Sequence, residues 1–307
     1  MGVNSGGRAL VTTMNSVLQQ TEIPLEVVVV DDGSTDDAAE TLANCAAADP
    51  RVRVIRQPSA GLTAALIRGC ASAKGDLIAR QDVADLSLPT RFARQVALLN
   101  SDPTLSFVSC WARAMGPCDE FLYEIQRPAS AADASDLLVN RWTGPPHHGS
   151  VMFRKGAYES VGGYRREFYF SQDSDLWLRL GEIGRIAYVP ECLYAFRITE
   201  NGISSRYRRL QHRLGALAHE CQQARLRGSS EAPLLARASE LKPNSGSRRK
   251  GNDPAGAYFI GRCLLRQRDP RARSYLLRAA RRRPWWLGAW LGLVQLRVLG
   301  TRSNNRE

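Results

Sequence analysis

The chain predicts an α/β fold, a mostly parallel sheet flanked by helices, with an α-helical extension at its C-terminal end. Three observations predict it. Short β-branched runs alternate with helix-length amphipathic stretches, a pattern that builds a sheet covered on both faces. Two of those runs end in acidic clusters, Asp31-Asp32 and Asp82 with Asp85. The composition then changes near residue 205 to an Arg-, Leu- and Ala-rich helical pattern. A chain of 307 residues buries one good core and leaves material for an appendage. With 44% hydrophobic and 23% charged residues it has ordinary globular usage, which excludes a disordered, collagenous or polytopic membrane protein.

The elements follow in order. Leu10, Met14, Val17 and Leu18 mark a helix over 9–20, and Leu25–Val30 is a β-branched run too short for a helix, read as a buried strand. Asp31-Asp32-Gly33-Ser34-Thr35-Asp36 is a polar turn ending in a helix cap, with an Ala-rich helix to about 48. A strand at 52–56, a helix at 62–73 and a strand at 76–80 continue the alternation. Ser87-Leu88-Pro89 opens a helix to about 100, and 105–110 is a strand. Residues 111–147 read as irregular with one helix near 132–140, then a strand at 151–154, a helix at 173–181 and two strands at 186–189 and 193–198. The division predicted is 1–205 for the α/β domain and 206–307 for the extension, with a flexible loop at about 243–254 and helices near 255–267, 270–282 and 285–299. In sheets of this kind ligands bind beyond the carboxyl ends of the strands, where both acidic clusters fall.

Seven scattered cysteines without a C-x-x-C pair indicate neither a disulfide framework nor a zinc site, and fit reduced thiols. The opening Met1–Arg8 lacks the apolar stretch of a secretory signal, so a cytoplasmic chain is expected. The apolar stretch from Trp285 to Gly300 is broken by Gln295 and Arg297 and falls short of the ~20 residues of a membrane span. Charge is uneven. Residues 206–307 carry 23 Lys and Arg against 6 Asp and Glu, while 1–205 carry 19 against 24.

Five motifs in order, Val29–Asp36, Arg80–Phe92, His148–Arg154, Gly162-Gly163-Tyr164 and Gln172–Arg179, resemble the inverting family 2 glycosyltransferases over roughly residues 3–205. The resemblance implies a GT-A fold in the nucleotide-diphospho-sugar transferase superfamily. It implies a hexosyl transfer from a nucleotide-diphosphate sugar, a UDP-sugar by expectation, to a glycan or lipid-linked acceptor in cell-surface polysaccharide biosynthesis. By the same resemblance Asn4, Asp31, Asp32, Arg80 and Asp82 line the nucleotide-sugar site, with Asp82 on the metal side. A diphosphate leaving group calls for Mg2+ or Mn2+ held by carboxylates. The family's Asp-x-Asp-Asp pattern carries its principal metal ligand at the third position, where this chain has Ala84. Three readings stay open: Asp85 joins Asp82 as the ligand pair, metal binding is weak, or it is lost.

Inversion needs a base for the acceptor hydroxyl. The family's base is the Asp of a Glu-Asp pair, which here is Gln172-Asp173, so Asp173 is the expected base. Gln172, His148 and Trp177 are candidate acceptor or donor contacts; His148 also reads as a structural imidazole and Trp177 as core. Asp175 reads as a first-turn helix charge. The family's opening strand looks missing, since the chain starts at what resembles the turn after it.

In the extension, Arg206, Arg208, Arg209 and Arg213, then Arg248-Arg249-Lys250, then Arg281-Arg282-Arg283 beside Trp285-Trp286, suit an anionic membrane surface at the inner face of the cell membrane. A solvated helical face is the plain alternative, and no nucleic-acid motif accompanies the charge. The rival to the enzyme is a catalytically silent GT-A module that binds a nucleotide or a membrane-surface partner.

Overall fold

The computed structural model describes residues 1–20, 23–200, 202, 207–243 and 254–303. It forms two compact units: Met1–Ala112 with Ile125–Phe196 and Leu210–Lys242, and Arg113–Glu124 with Arg197–Arg209 and Pro243–Glu307.

The first unit opens with β1 (Gly2–Val3), α1 (Gly7–Leu18), β2 (Val27–Asp32), α2 (Ala38–Ala48), β3 (Val52–Gln57) and α3 (Leu62–Ser72). The three strands form a parallel sheet in the order β1-β2-β3. The strand expected to be missing is thus present as two residues, Gly2 opposite Val30 and Val3 opposite Asp31. The β-branched run of β2 is buried because α1, α2 and α3 cover it: Val27 and Val29 share a cluster with Leu10, Met14, Val17, Ala38 and Leu42. Each such side chain removed from water contributes roughly 1.5–3 kcal/mol.

The chain continues through β4 (Leu77–Ala79), β5 (Leu86–Ser87), α4 (Arg91–Ser101), β6 (Leu105–Met115), β7 (Phe121–Ile125), α5 (Ala131–Val139), a 3-10 turn at His148–Ser150, β8 (Met152–Arg154), α6 (Lys155–Ser160), α7 (Gln172–Ile183) and β9 (Arg185–Arg197). The order is β4-β8-β6-β9-β5, with β7 on β6. Its β4–β8, β6–β8 and β5–β9 pairs are antiparallel, whereas β6 and β9 run the same way, with Arg185 N meeting Thr104 O at one end and Ile198 N meeting Met115 O at the other. The segment read as irregular contains β7, and the two strands read at 186–198 are one. Pro190 is tolerated inside β9 because it is exposed and β5 reaches only Tyr194 and Ala195, leaving that side with no ladder donor to supply.

Helix α8 (Arg208–Leu226) from Leu210 onward and α9 (Ala232–Glu240) belong to the first unit, where a single cut at 205/206 was expected. The physical reason is burial: Leu214, Leu217, Ala218, Cys221 and Ala238 join the cluster that holds Leu176, Trp177 and Leu180 of α7. Helices α10 (Ala255–Arg266), α11 (Ala272–Arg282) and α12 (Leu287–Ser303) build the second unit. Gly261 of α10 lies against Leu276 of α11, an approach a larger side chain would block. Tyr275 donates to Glu120 at 2.6 Å, and Glu200 takes Arg278 and Arg282. Arg206, Arg248-Arg249-Lys250 and the interior of the 243–254 loop lie outside the described residues.

Candidate active site at the acidic turns

The turn after β4 gathers the first acidic group. Arg80, 3% exposed, donates from Nη2 to Asp82 Oδ1 at 2.6 Å and from Nε to His148 Nε2 at 3.3 Å. Asp85 is buried and accepts the Tyr194 hydroxyl at 2.8 Å, while its carbonyl takes Thr13 Oγ1 and Gln81 Nε2, both at 3.0 Å. Between Asp82 and Asp85, Ala84 sits in the left-handed region at φ 72°. A residue with a Cβ pays ~1–2 kcal/mol to stay there.

Arg91 at the start of α4 is fully buried and ties this turn to the His147–Val151 segment. Its guanidinium donates to Ser87 Oγ at 2.8 Å, Gln95 Oε1 at 3.1 Å, Arg80 O at 3.0 Å and Gly149 O at 2.7 Å. It also lies 4.9 Å from the Tyr194 ring centroid. Gly149 has to be glycine, since a Cβ there would run into the Tyr194 hydroxyl that reaches Asp85.

The same segment delivers His147, to which the sequence had given no role. Its Nδ1 is 3.4 Å from Asp85 Oδ2 and 3.9 Å from Asp82 Oδ2, and its ring stacks on Phe196 at 4.8 Å and Tyr194 at 5.6 Å. Ligand atoms of Asp82, Asp85 and His147 lie within 4.8 Å of one another. Nδ1 is also placed to accept the Gly149 N–H at 3.2 Å. With Nδ1 as acceptor it converges with the carboxylates of Asp82 and Asp85, an arrangement that suits a divalent cation, which would replace the Gly149 N–H at Nδ1 and share Asp85 Oδ2 with the Tyr194 hydroxyl. Two carboxylates and an imidazole fit Mn2+ well and Mg2+ less well. A histidine 62 residues from Asp85 could be linked to it only through the sheet, which explains why the motif alone did not reveal it.

His148 does not bond to backbone, as a structural imidazole was expected to. It bonds Tyr164 Oη at 2.6 Å and Arg80 Nε, and burial together with Arg80 pushes its pKa well below the ordinary value, so it is neutral. Trp177, buried edge-on to His148 at 5.9 Å, is core and presents no face to a sugar. Asp175 stands in the first turn of α7, as expected, and is fully buried there, bonded to Arg179 at 2.6 Å, with Arg165 at 3.7 Å.

Two carboxyls are driven in opposite directions. Burial alone would raise Asp82, but the Arg80 guanidinium bonded to it overcomes that and holds the carboxyl well below the usual range. Asp173, in the first turn of α7, is pushed above its ordinary value by burial, against the Ser174 N–H that its Oδ1 accepts at 2.8 Å. Lesser influences on it come through space from His147, which lowers it, and Asp82, which raises it. Gln172 beside it is buried, with Oε1 lacking a hydrogen-bond partner among the described residues.

The acidic pair after β2 is committed differently. Asp32 accepts from Gln57 Nε2 at 2.7 Å, Ala60 N at 2.8 Å and Gly61 N at 2.8 Å, so both its oxygens hold the 57–61 loop. Asp31 caps the turn through the Ser34 N–H at 2.9 Å, with Arg56 at 4.0 Å from its other oxygen. Gly33, at φ 72°, packs so close to Ser59 that no side chain fits. Asn4 is exposed and takes only the Ser5 hydroxyl, at 3.4 Å, among the described contacts. Among the described residues no hydrogen bond or ion pair joins Asn4, Asp31 or Asp32 to the Asp82–Asp85 turn.

A parallel β1–β3 layer with an acidic turn at the carboxyl end of β2 belongs to the α/β folds that bind ligands beyond the carboxyl ends of their strands. Residues 4–162 match the sequence model of Glycosyl transferase family 2, and the chain belongs to that family. It is 33% identical over 212 residues to the putative glycosyltransferase EpsE of Bacillus subtilis, covering 67% of this chain and 74% of that protein. It is 29% identical over 195 residues to the amylovoran biosynthesis glycosyltransferase AmsE of Erwinia amylovora, covering 63% and 72%. In fold it is similar to the mannosyltransferase PcManGT from Pyrobaculum calidifontis, solved with GDP-Man and Mn2+, with a TM-score of 0.56 at 20% identity over 97% of this chain and 84% of that one. The chain is a glycosyltransferase of GT-A fold.

Proposed function

We propose that the chain transfers a hexosyl group from a nucleoside-diphosphate sugar, UDP-linked by expectation, to a hydroxyl of a glycan or lipid-linked acceptor, with inversion. The observation that carries this reading is the opposed tuning of Asp82 and Asp173. A carboxylate held ionised suits a cation and a diphosphate; one pushed upward suits proton abstraction nearer neutral pH.

Asp82, Asp85 and His147 would hold Mn2+ or Mg2+, which when bound neutralises charge developing on the departing diphosphate. Tyr194 orients Asp85, and Arg80 fixes Asp82 while leaving its Oδ2 toward the site. Asp173 takes the proton of the acceptor hydroxyl as that oxygen attacks the anomeric carbon, and the bond to the diphosphate oxygen breaks on the opposite face. Asp31, with Asn4 and the 57–61 loop shaped by Asp32, would frame the nucleoside. A lipid-linked acceptor would be met at the inner face of the cell membrane, the location expected for a chain with a basic extension. No described helix is long and apolar enough to cross a membrane.

Ala84 and the unpartnered Gln172 Oε1 favour the second reading, a module that binds the donor without turnover. Calorimetry of nucleoside diphosphates with and without Mn2+, run beside donor turnover, separates the two. Binding with turnover that Asp173→Asn abolishes supports the enzyme. Binding without turnover supports the silent module, and no binding by the intact protein would overturn both.

A further inference from the structure

One face of α12 is apolar and uncovered. Leu287, Trp290, Leu291 and Val294 recur at i, i+3, i+4 and i+7, the spacing of a single helical stripe, and Trp285 precedes them. Their exposure runs from 45% at Trp290 to 77% at Trp285. The opposite side of the helix is the one that packs: Ala289 is fully buried with Ala257, Ala279 and Ala280, and Gly292 meets Leu276 and Leu265. The helix is therefore apolar on two sides, and only one of them is used within the second unit.

The charge around that stripe is as unusual as the stripe itself. Arg281, Arg282 and Arg283 are exposed and run directly into Trp285. Arg282 is tied to Glu200, whereas Arg273 and Arg281 make no ion pair among the described residues. Those two, with Arg278, Ser274 and Leu277, line an open groove of about 410 Å³ along α11, large enough for a phosphate-bearing headgroup. Residues 243–307, which lie in the second unit, carry 15 Lys and Arg against 3 Asp and Glu.

We propose that the α11–α12 hairpin docks the second unit on an anionic lipid surface, with the α12 stripe inserted at headgroup depth and the α11 arginines on lipid phosphates. Both halves of such a contact are present: an apolar face with interfacial Trp, and a flanking cluster of Arg. A second copy of this chain is the poorer occupant, because pairing through this face would bring two Arg281–Arg283 clusters together. The face lies entirely in the second unit and shares no residue with the donor site, so its test is independent of turnover.

The test uses the full chain with vesicles of phosphatidylcholine alone and of phosphatidylcholine containing roughly one-third phosphatidylglycerol. Wild type is expected to sediment with the anionic vesicles only, with a blue shift of Trp emission. Arg281→Gln with Arg283→Gln should weaken binding about 5-fold per arginine and flatten its salt dependence. Trp290→Ser with Leu291→Ser should weaken it at least ~10-fold while leaving the salt dependence in place. All four positions are exposed, and unchanged circular dichroism would show that the fold is retained. Failure of wild type to bind anionic vesicles would overturn the proposal, as would equal binding by the Trp290/Leu291 variant. A concentration-dependent dimer lost in that variant would assign the face to a second copy and overturn it as well.

Discussion

Ala84 is the position where backbone strain and function meet, and substituting it separates the two. At φ 72° the alanine pays ~1–2 kcal/mol, and glycine would remove that strain while adding ~0.5–1 kcal/mol of chain entropy to be lost on folding. Ala84→Gly should therefore stabilise the protein by about 0.5 kcal/mol, a rise of only ~1–2 °C in Tm for a chain of this size. Ala84→Asp relieves part of the same strain, because Asp tolerates the left-handed region, but it adds a third carboxylate between Asp82 and Asp85. Without metal that like charge is unfavourable, so Ala84→Asp should melt below Ala84→Gly. With Mn2+ the order should reverse: a tenfold gain in affinity adds ~1.4 kcal/mol at saturating metal. The assay is thermal unfolding across a Mn2+ titration for wild type and both variants, with calorimetry for affinity. Equal Mn2+-induced shifts in all three would refute the assignment of this turn to a cation.

Other outcomes follow from the same geometry. The acid limb of the pH–rate profile should lie above the ordinary 3.8 of an aspartate, because burial raises Asp173 and turnover needs its ionised form; activity is lost as pH falls through that raised value, and Asp173→Asn should abolish turnover while nucleotide affinity stays within about twofold. Asp82 has a depressed pKa in the fold, so its stabilising contribution is complete above the unfolded value near 3.8 and is lost as pH falls below it; Asp82→Asn should flatten the pH dependence of Tm in that window. Tyr194→Phe removes the donor to a buried carboxylate and should cost about 1.5–3 kcal/mol, read as a lowered denaturant midpoint that Mn2+ partly restores. His147→Ala should weaken Mn2+ binding by more than tenfold with little change in Tm, and loss of the nitrogen hyperfine coupling in the electron spin-echo spectrum of bound Mn2+ would confirm imidazole ligation; an unchanged wild-type-like coupling in the variant would refute it.

The strand and helix alternation up to β4 was legible because each element is short, local and bounded by turn residues: Val27–Asp32 and Leu62–Ser72 stand within two or three residues of where periodicity puts them. The extent of β6 and the existence of β7 were not legible. Both depend on partners far along the chain, and the Gly116–Glu120 turn that joins them carries no tight hairpin dipeptide. The site divided along the same line. Asp82, Asp85 and Asp173 stand in motifs whose spacing a sequence displays, and so does Gly149, whereas His147 and Tyr194 stand outside those motifs and reach the acidic turn only through the fold. Residues 210–242 misled by composition: their arginines suggested a separate extension, but Leu214, Leu217 and Cys221 face the first core.

Arg91 and Arg80 show how a site can hold acidic groups ionised without consuming them. Arg80 neutralises Asp82 directly and takes Oδ1 to do it. Arg91 has no carboxylate at salt-bridge distance among the described residues; its partners are Ser87, Gln95 and backbone carbonyls, all neutral. Burying a cation in this way is costly unless its donors are satisfied, and burial does lower the Arg91 pKa, yet these acceptors keep it bonded on several sides. Its charge therefore remains as a field beneath the acidic turn, felt by Asp82 through space. A field stabilises a carboxylate without occupying its lone pairs, so Asp82 Oδ2 and the His147 side of Asp85 stay directed at a common point. Arg91→Lys would keep the charge but lose the fork of bonds that positions Gly149 and hence Tyr194. The predicted consequence is a protein that still attracts nucleotide through charge yet binds Mn2+ poorly, a split that a purely structural arginine would not produce.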